Sequence, residues 1–324
     1  MQKKGIEMKK RYLLIILIFL SIFSLFIGVH NIRLYDLING DMEKINIFLI
    51  SRVPRLLSIL ITGISLSIAG VIMQQISSNK FVSPTTAATI DSAKLGVLVS
   101  TMLFSSATIM EKMIVSLIFS IVGTIIFMKI LNKVRLKNII FVPLVGIMVG
   151  NVIGAVTDYL AYKYNMVQNM TSFLQGDFST ILKGKYELLF LIIPLLIIAF
   201  MYARKFTIVS MGEEISANLG ISYKKVVQIG VIIVSLISSL VVITVGSIPF
   251  VGLVVPNIVS MFKGDNLSEN IGLTALFGGI FVLICDMIGR VIIFPYEVPI
   301  SLTIGVIGSI LFLILVFRRA KDEG

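Results

Sequence analysis

Arg52–Gln75 reads RVPRLLSILITGISLSIAGVIMQQ: two arginines around a proline, then a long run of apolar and small residues. A helix needs about 20 apolar residues to cross the hydrocarbon core of a bilayer, and this stretch supplies them. Within it Gly63, Ser67 and Gly70 recur at i, i+4 and i+7, a narrow stripe on one face. Small residues let helix backbones approach closely, so dispersion contacts replace the hydrophobic drive that lipid removes. The stretch reads as a membrane helix packed tightly on a neighbour. Its arginines pose a second question, because cations beside a span usually mark its cytoplasmic end.

The rest of the chain is of the same kind. Of its 324 residues 57% are hydrophobic and 14% charged, with mean hydropathy +1.02. A soluble domain carries about a quarter charged residues, so most of this chain is not built to face water. The net charge of +11 has no basic, aromatic-interleaved domain to direct it at nucleic acid. Lone Cys285 lies in an apolar run, which excludes an intrachain disulfide. Lone His30 reads as a boundary residue after the first span. The basic N-terminus leads into an apolar run, Tyr12 to Val29, longer than a secretory signal core and without an A-x-A-like site after it. It reads as the first membrane helix, basic end inside.

Ten candidate spans follow from the apolar runs: 12–29, 54–75, 91–107, 113–131, 139–161, 187–203, 225–246, 249–262, 270–290 and 299–317. The eighth, FVGLVVPNIVSMF, is short and carries Gly252 and Pro256, as a broken helix sheltered by its neighbours would. With the N-terminus inside, 18 of the 28 cationic residues fall inside and 9 outside, with Lys94 within a span. That bias supports cytoplasmic termini, and it places Arg52, Arg55 and Arg290 outside. Ten spans form two halves of five, 12–161 and 187–318, and an odd number per half inverts the second against the first. The expected fold class is an all-α polytopic membrane protein, one domain over residues 1–324, with about ten transmembrane helices in two inverted five-helix halves.

Further residues stand out. In the fifth span Gly146, Gly150 and Gly154 recur at i, i+4 and i+8 beside Asn151, fit for close packing within the chain, for a partner, or for a narrow path. Asp286 and Arg290 are four apart, and Asp91 and Lys94 three apart, spacings that allow self-pairing. Charge in the bilayer is costly and is paired or functional. No clear unpaired mid-membrane acid offers itself for ion coupling. The largest inner loop, about 204–224, contains MGEEISANLG: Met211 to Leu219 reads as a short helix, Glu213 and Glu214 in its first turn, Gly220 its stop. The nucleotide-binding G-x-x-x-x-G-K-[ST], H-E-x-x-H and G-x-S-x-G patterns are absent from the sequence, as is any Cys/His cluster, so neither catalysis nor a metal site is expected.

Several stretches together resemble the FecCD-type permeases of ABC importers, which import iron–siderophore complexes, haem or cobalamin. RVPRLLSILITGISLSIAGVIMQQISSNKFVSP resembles their R-x-P-R signature, and MGEEISANLGI their G-E-x-A-x-x-L-G loop. GSIPFVGLVVPNIVSMF and CDMIGRVIIFPYEVPISLTIGVIGSILFLILVFRR resemble the third and closing motifs, so that the likeness covers about 50–319. Asn257 stands where many members have His, and the usual Arg three residues later is Met261 or absent. PTTAATIDSAKLG, in place of P-x-x-L-G-x-x-x-G-A, resembles the branch handling ferric catecholate-type siderophores such as petrobactin and anguibactin.

The resemblance implies a transport subunit of the cell membrane, not an enzyme. It implies a second permease chain, identical or homologous, with the pathway near the interface of the two. Two cytoplasmic ATPases that use ATP and magnesium would engage Met211, Gly212, Glu213, Glu214, Ala217, Leu219 and Gly220. An extracytoplasmic binding protein, often a lipoprotein, would deliver the ferric siderophore. Arg52, Arg55 and Arg290 match arginines that meet its glutamates. Gly146, Gly150, Asn151, Gly154 and Pro256 are candidates for the path or helix interface. The chain itself would bind no cofactor. Cobalamin or haem import is the alternative cargo; an ion-coupled carrier is the alternative class.

Overall fold

The computed structural model describes residues 10–28, 35–36, 39–84, 88–104, 108–133 and 141–323. His30, Arg33, Arg135, Lys137 and the basic residues before Lys10 lie outside the described residues. Among the described residues the chain is helical, with isolated β-bridges at Gln175–Ser247 and Ile293–Tyr296 and no strand.

The helices are α1 Lys10–Phe26, α2 Met42–Ile47, α3 Val53–Ile76, α4 Thr89–Leu103, α5 Ile109–Lys133, α6 Phe141–Lys163 and α7 Val167–Leu174, then α8 Ile192–Val209, α9 Glu213–Asn218, α10 Tyr223–Val245, α11 Val251–Lys263, α12 Leu267–Val291 and α13 Ile300–Glu323. Their limits follow from local chemistry. The Asp41 side chain accepts from Lys44 N at the start of α2, and the Asn266 side chain accepts from Ser268 N at the start of α12. A π turn, Phe48–Arg52, joins α2 to α3 in one continuous helical stretch, Met42–Ile76, and Pro54, which has no N–H to give, follows just after that turn.

Seven helical stretches among the described residues are long and apolar enough to cross a bilayer. Helices α1, α4 and α11 coincide with expected spans but have only 17, 15 and 13 residues. At 1.5 Å per residue the last two reach only about 20 Å, less than the roughly 30 Å of hydrocarbon. Both begin inside the protein, after a residue held in the left-handed region, Ala88 at φ 59° before α4 and Phe250 at φ 63° before α11. The approach to α4 packs on α10 and the start of α11: Ser238 Oγ donates to Pro84 O at 3.3 Å, and a Cβ on Gly252 would stand 2.6 Å from the Pro84 ring. Irregular backbone is tolerated at such depth where protein surrounds it.

The centre of the bundle is α3, α10 and α12. Their span windows are 72%, 78% and 67% buried, against 22% for those of α8 and α13, which places the latter two at the periphery. Helix α3 lies against α12 through its small-residue stripe: a Cβ on Gly63 would come within 2.6 Å of Gly278 O. Gly70 meets the Gly252 backbone equally closely, so α3 is clasped by α11 as well. Phe127, Phe178 and Phe206 are fully buried in the core, while Phe19, Ile22, Met201, Val306 and Leu313 are exposed. An apolar rim of that kind suits lipid rather than water.

Candidate functional site

Two ends of the bundle carry the residues singled out by sequence. At the end assigned outside by the charge count, α3 begins, α1 and α12 finish, and the loop to α13 starts. Arg55 Nη2 and Nε donate to Asp286 Oδ1 at 2.9 and 3.3 Å, and its Nη1 donates to Glu297 Oε2 at 2.6 Å. Arg290 Nη2 donates to Asp286 Oδ2, and its Nη1 to Ser24 O and Ile27 O at 2.9 and 3.1 Å. Arg52 Nη1 donates to Ile27 O at 2.5 Å. The guanidinium forks thus supply the last carbonyls of α1, which a helix end leaves without intrahelical partners.

The cluster is closed. Arg52, Arg55, Asp286 and Arg290 are 8%, 8%, 3% and 3% exposed. Only the Glu297 side chain, at 21%, reaches solvent appreciably. The resemblance implied arginines that meet a partner; the structure gathers Arg52, Arg55 and Arg290 at one end and buries them, Arg55 and Arg290 on carboxylates and Arg52 on the Ile27 carbonyl. The Asp286–Arg290 pair was expected from its spacing, whereas the second partner of Asp286, Arg55, lies 231 residues away and left no local trace. Glu297 stood in the closing motif without an assigned role.

The spacing of Asp91 and Lys94 allowed self-pairing, but the salt bridge of Lys94 is made elsewhere. Lys94 Nζ instead pairs with Asp158 Oδ1 of α6 at 2.6 Å. Asp91 faces the α6 glycines: a Cβ on Gly150 would be 2.6 Å from Asp91 Oδ2, and one on Gly154 3.3 Å from Oδ1. These glycines make room for a carboxylate of α4 within the chain itself. Gly146 is buried and Asn151 exposed on the same helix.

At the opposite end α9 stands out from the bundle. Gly212, at φ 107°, opens it and Gly220, at φ 69°, follows it, conformations that glycine adopts without strain. Ser216 Oγ, buried, donates to Gly212 O at 2.7 Å and anchors the turn. Ile215 and Leu219, four apart, are 45% and 60% exposed on the α9 turn, and Met211, 56% exposed, lies just before it across Gly212. Glu213 and Glu214 occupy its first turn, and Ala217 is exposed. Beside it lies a cavity of about 180 Å³ lined by Pro256, Gln74, Ser210 and the Lys80–Asp265 ion pair, 2.6 Å long. Ser78 Oγ donates to Ser210 O at 2.9 Å, tying the end of α3 to the residue before Met211. Among the described residues no group of three His, Cys, Asp or Glu converges as a metal site.

The FecCD transport family is matched over residues 13–318. The chain is 54% identical to the petrobactin import system permease protein YclN of Bacillus subtilis (strain 168), over 96% of this chain and 99% of that one. It is 40% identical to the ferric-anguibactin transport system permease protein FatD of Vibrio anguillarum, over 92% and 95% of the two chains. A solved inward-facing ABC transporter of metal-chelate type superposes with TM-score 0.85 at 22% identity, covering 95% of this chain and 98% of that one.

Proposed function

The chain belongs to the FecCD transport family, and from that premise we propose that it is the membrane permease of an ABC importer for ferric siderophores of the petrobactin or anguibactin kind. The observation that carries this is near-complete alignment, at 54% identity, with a petrobactin import permease. The chain is a multi-pass membrane protein and a transport subunit without catalytic chemistry of its own.

Finer features belong to the same proposal. We infer ten spans in two inverted halves, termini inside, forming a single transmembrane domain. The matched left-handed starts of α4 and α11, one in each half, support that plan. A second permease chain, two ATPases and a delivering binding protein complete the importer. The exposed pair Ile215 and Leu219 on the α9 turn suits an ATPase groove, since an amphipathic helix presents anchors to a partner at such spacing. ATP and magnesium act in the ATPases. Movement of α9 reaches the bundle through the Ser78–Ser210 bond and the Lys80–Asp265 pair around the Pro256 cavity. The arginine cluster is the docking end: a carboxylate from the binding protein that displaces Glu297 would take over its bond to Arg55.

The test is reconstitution of the permease with its ATPases and binding protein in proteoliposomes. ATP-dependent accumulation of radiolabelled ferric petrobactin is expected. Uptake of cobalamin or haem instead would overturn the cargo. Uptake driven by an ion gradient without the ATPases would overturn the subunit assignment.

A further inference from the structure

Between the outer ends of α4, α5 and α10 and the α7 segment lies a cavity of about 500 Å³, a size that holds small ligands. Thr101 of α4, Lys112 of α5, Asn169 of α7, Lys185 of the following loop and Thr244 at the end of α10 all line it. We propose that this cavity receives an oxyanion-bearing arm of the incoming ferric chelate, held by the ammonium groups of Lys112 and Lys185 and the hydroxyl of Thr244. The proposal rests on the import function above and adds the site at which the permease itself meets its cargo.

Three observations carry it. First, Thr244 is 2% exposed and its Oγ1 has no hydrogen-bond partner among the described residues. Buried hydroxyls are normally satisfied; among the described residues Ser24, Thr62, Thr89 and Ser235 are also left without a partner, but of these hydroxyls Thr244 is the one on the wall of this cavity. An orphan donor lining a cavity is a place kept for an acceptor. Second, no carboxylate among the described residues forms an ion pair with Lys112 or Lys185. The acid that lines the cavity, Asp177, accepts from Ser179 N and Oγ at 2.7 and 2.6 Å; its charge acts on Lys185 without a salt bridge, so Lys112 is the cation of this wall with no carboxylate acting on it among the described residues. Lys185 donates to Thr180 Oγ1 at 3.2 Å, which leaves two of its three donors. Burial holds the Lys185 ammonium below its ordinary range, and an anion in the cavity would relieve that. Third, every wall belongs to the end at which cargo arrives. Ferric ion wrapped in catecholate dianions carries net negative charge, which suits lysine amines on a polar wall.

A phospholipid phosphate offers the same oxyanion chemistry, so the test separates the two sources. The assembled importer in nanodiscs of zwitterionic lipid is dialysed against a ferric dihydroxybenzoate complex, and bound complex is read from its ligand-to-iron absorbance. Lys112→Gln with Lys185→Gln should weaken binding by about tenfold or more, the scale of a lost charged hydrogen bond, and Thr244→Val should weaken it less. Lys112→Arg with Lys185→Arg should retain it. If the doubly neutralised variant fails to assemble, the Thr244→Val variant and loss of wild-type binding at high salt decide instead. Unchanged binding in the variants, or wild-type binding abolished by including phosphatidylglycerol, overturns the proposal. Wild-type importer that transports no ferric chelate would instead sink the import function. Normal transport and binding by the doubly neutralised variant would sink this site alone.

Discussion

Arg55 is the most consequential single residue of the outer end. It holds Asp286 and Glu297 at once, and so joins the start of α3 to the end of α12 and the loop beyond. Removing one partner of a buried ion pair strands the other. Arg55→Ala should therefore cost about 3 kcal/mol of stability, read as a lower unfolding midpoint in detergent. Arg55→Lys should recover only part, because an ammonium cannot fork to two carboxylates. Glu297→Gln should behave oppositely in function. It removes the internal competitor for Arg55, so affinity for the binding protein should rise, most at low salt. Unaltered affinity in that variant would show that Arg55 is not a docking group. The spacing of Asp286 and Arg290 was readable in sequence, but membership of Arg55 and Glu297 in one cluster was not, since contacts across more than 200 residues leave no periodicity.

Helices α9 and α3 make separate predictions. Ile215 and Leu219 of the α9 turn, with Met211 just before it, are exposed among the described residues. Ile215→Ala with Leu219→Ala should weaken ATPase association by about 2 kcal/mol, the scale of interface anchors, while membrane insertion is kept. Reversal of Glu213 and Glu214 to lysine should lower ATP-driven uptake several-fold with the same insertion; full uptake in that variant would count against the coupling role. In α3 the Gly63 stripe allows no Cβ toward α12. Gly63→Val should cost about 1–3 kcal/mol through overpacking, whereas substitution at exposed Asn151 should be near neutral for folding. The α3 stripe was legible because small residues at helical spacing let backbones approach closely. Its partner glycines, Gly278 and Gly279, went unnoticed inside an apolar run.

For the whole molecule, sidedness is the testable quantity. Ser179 lies in the loop before α8, and Asn218 ends α9. In cells, Ser179→Cys should react with an impermeant thiol reagent from outside and Asn218→Cys only after the membrane is opened. Native Cys285 is buried and should stay silent as the background. Labelling of both sites from one side would break the inverted plan.

The composition, the all-helical class and the existence of several apolar helices were matters of the sequence alone, because partition into lipid acts on each segment locally. The short eighth segment and the loop helix belonged to that class too, through Gly252, Pro256, Gly212 and Gly220. The family motifs likewise marked which arginines and which loop to watch. What only the tertiary structure decided is which helices are central. All the spans are similarly apolar, yet α3, α10 and α12 are enclosed and α8 and α13 face outward. Hydropathy cannot separate a side chain against lipid from one against protein, since both environments are apolar. The same limit hid the true partner of Lys94, the closure of the arginine cluster and the cavity of Lys112, Lys185 and Thr244. Each depends on which helices become neighbours, and that is settled by shape.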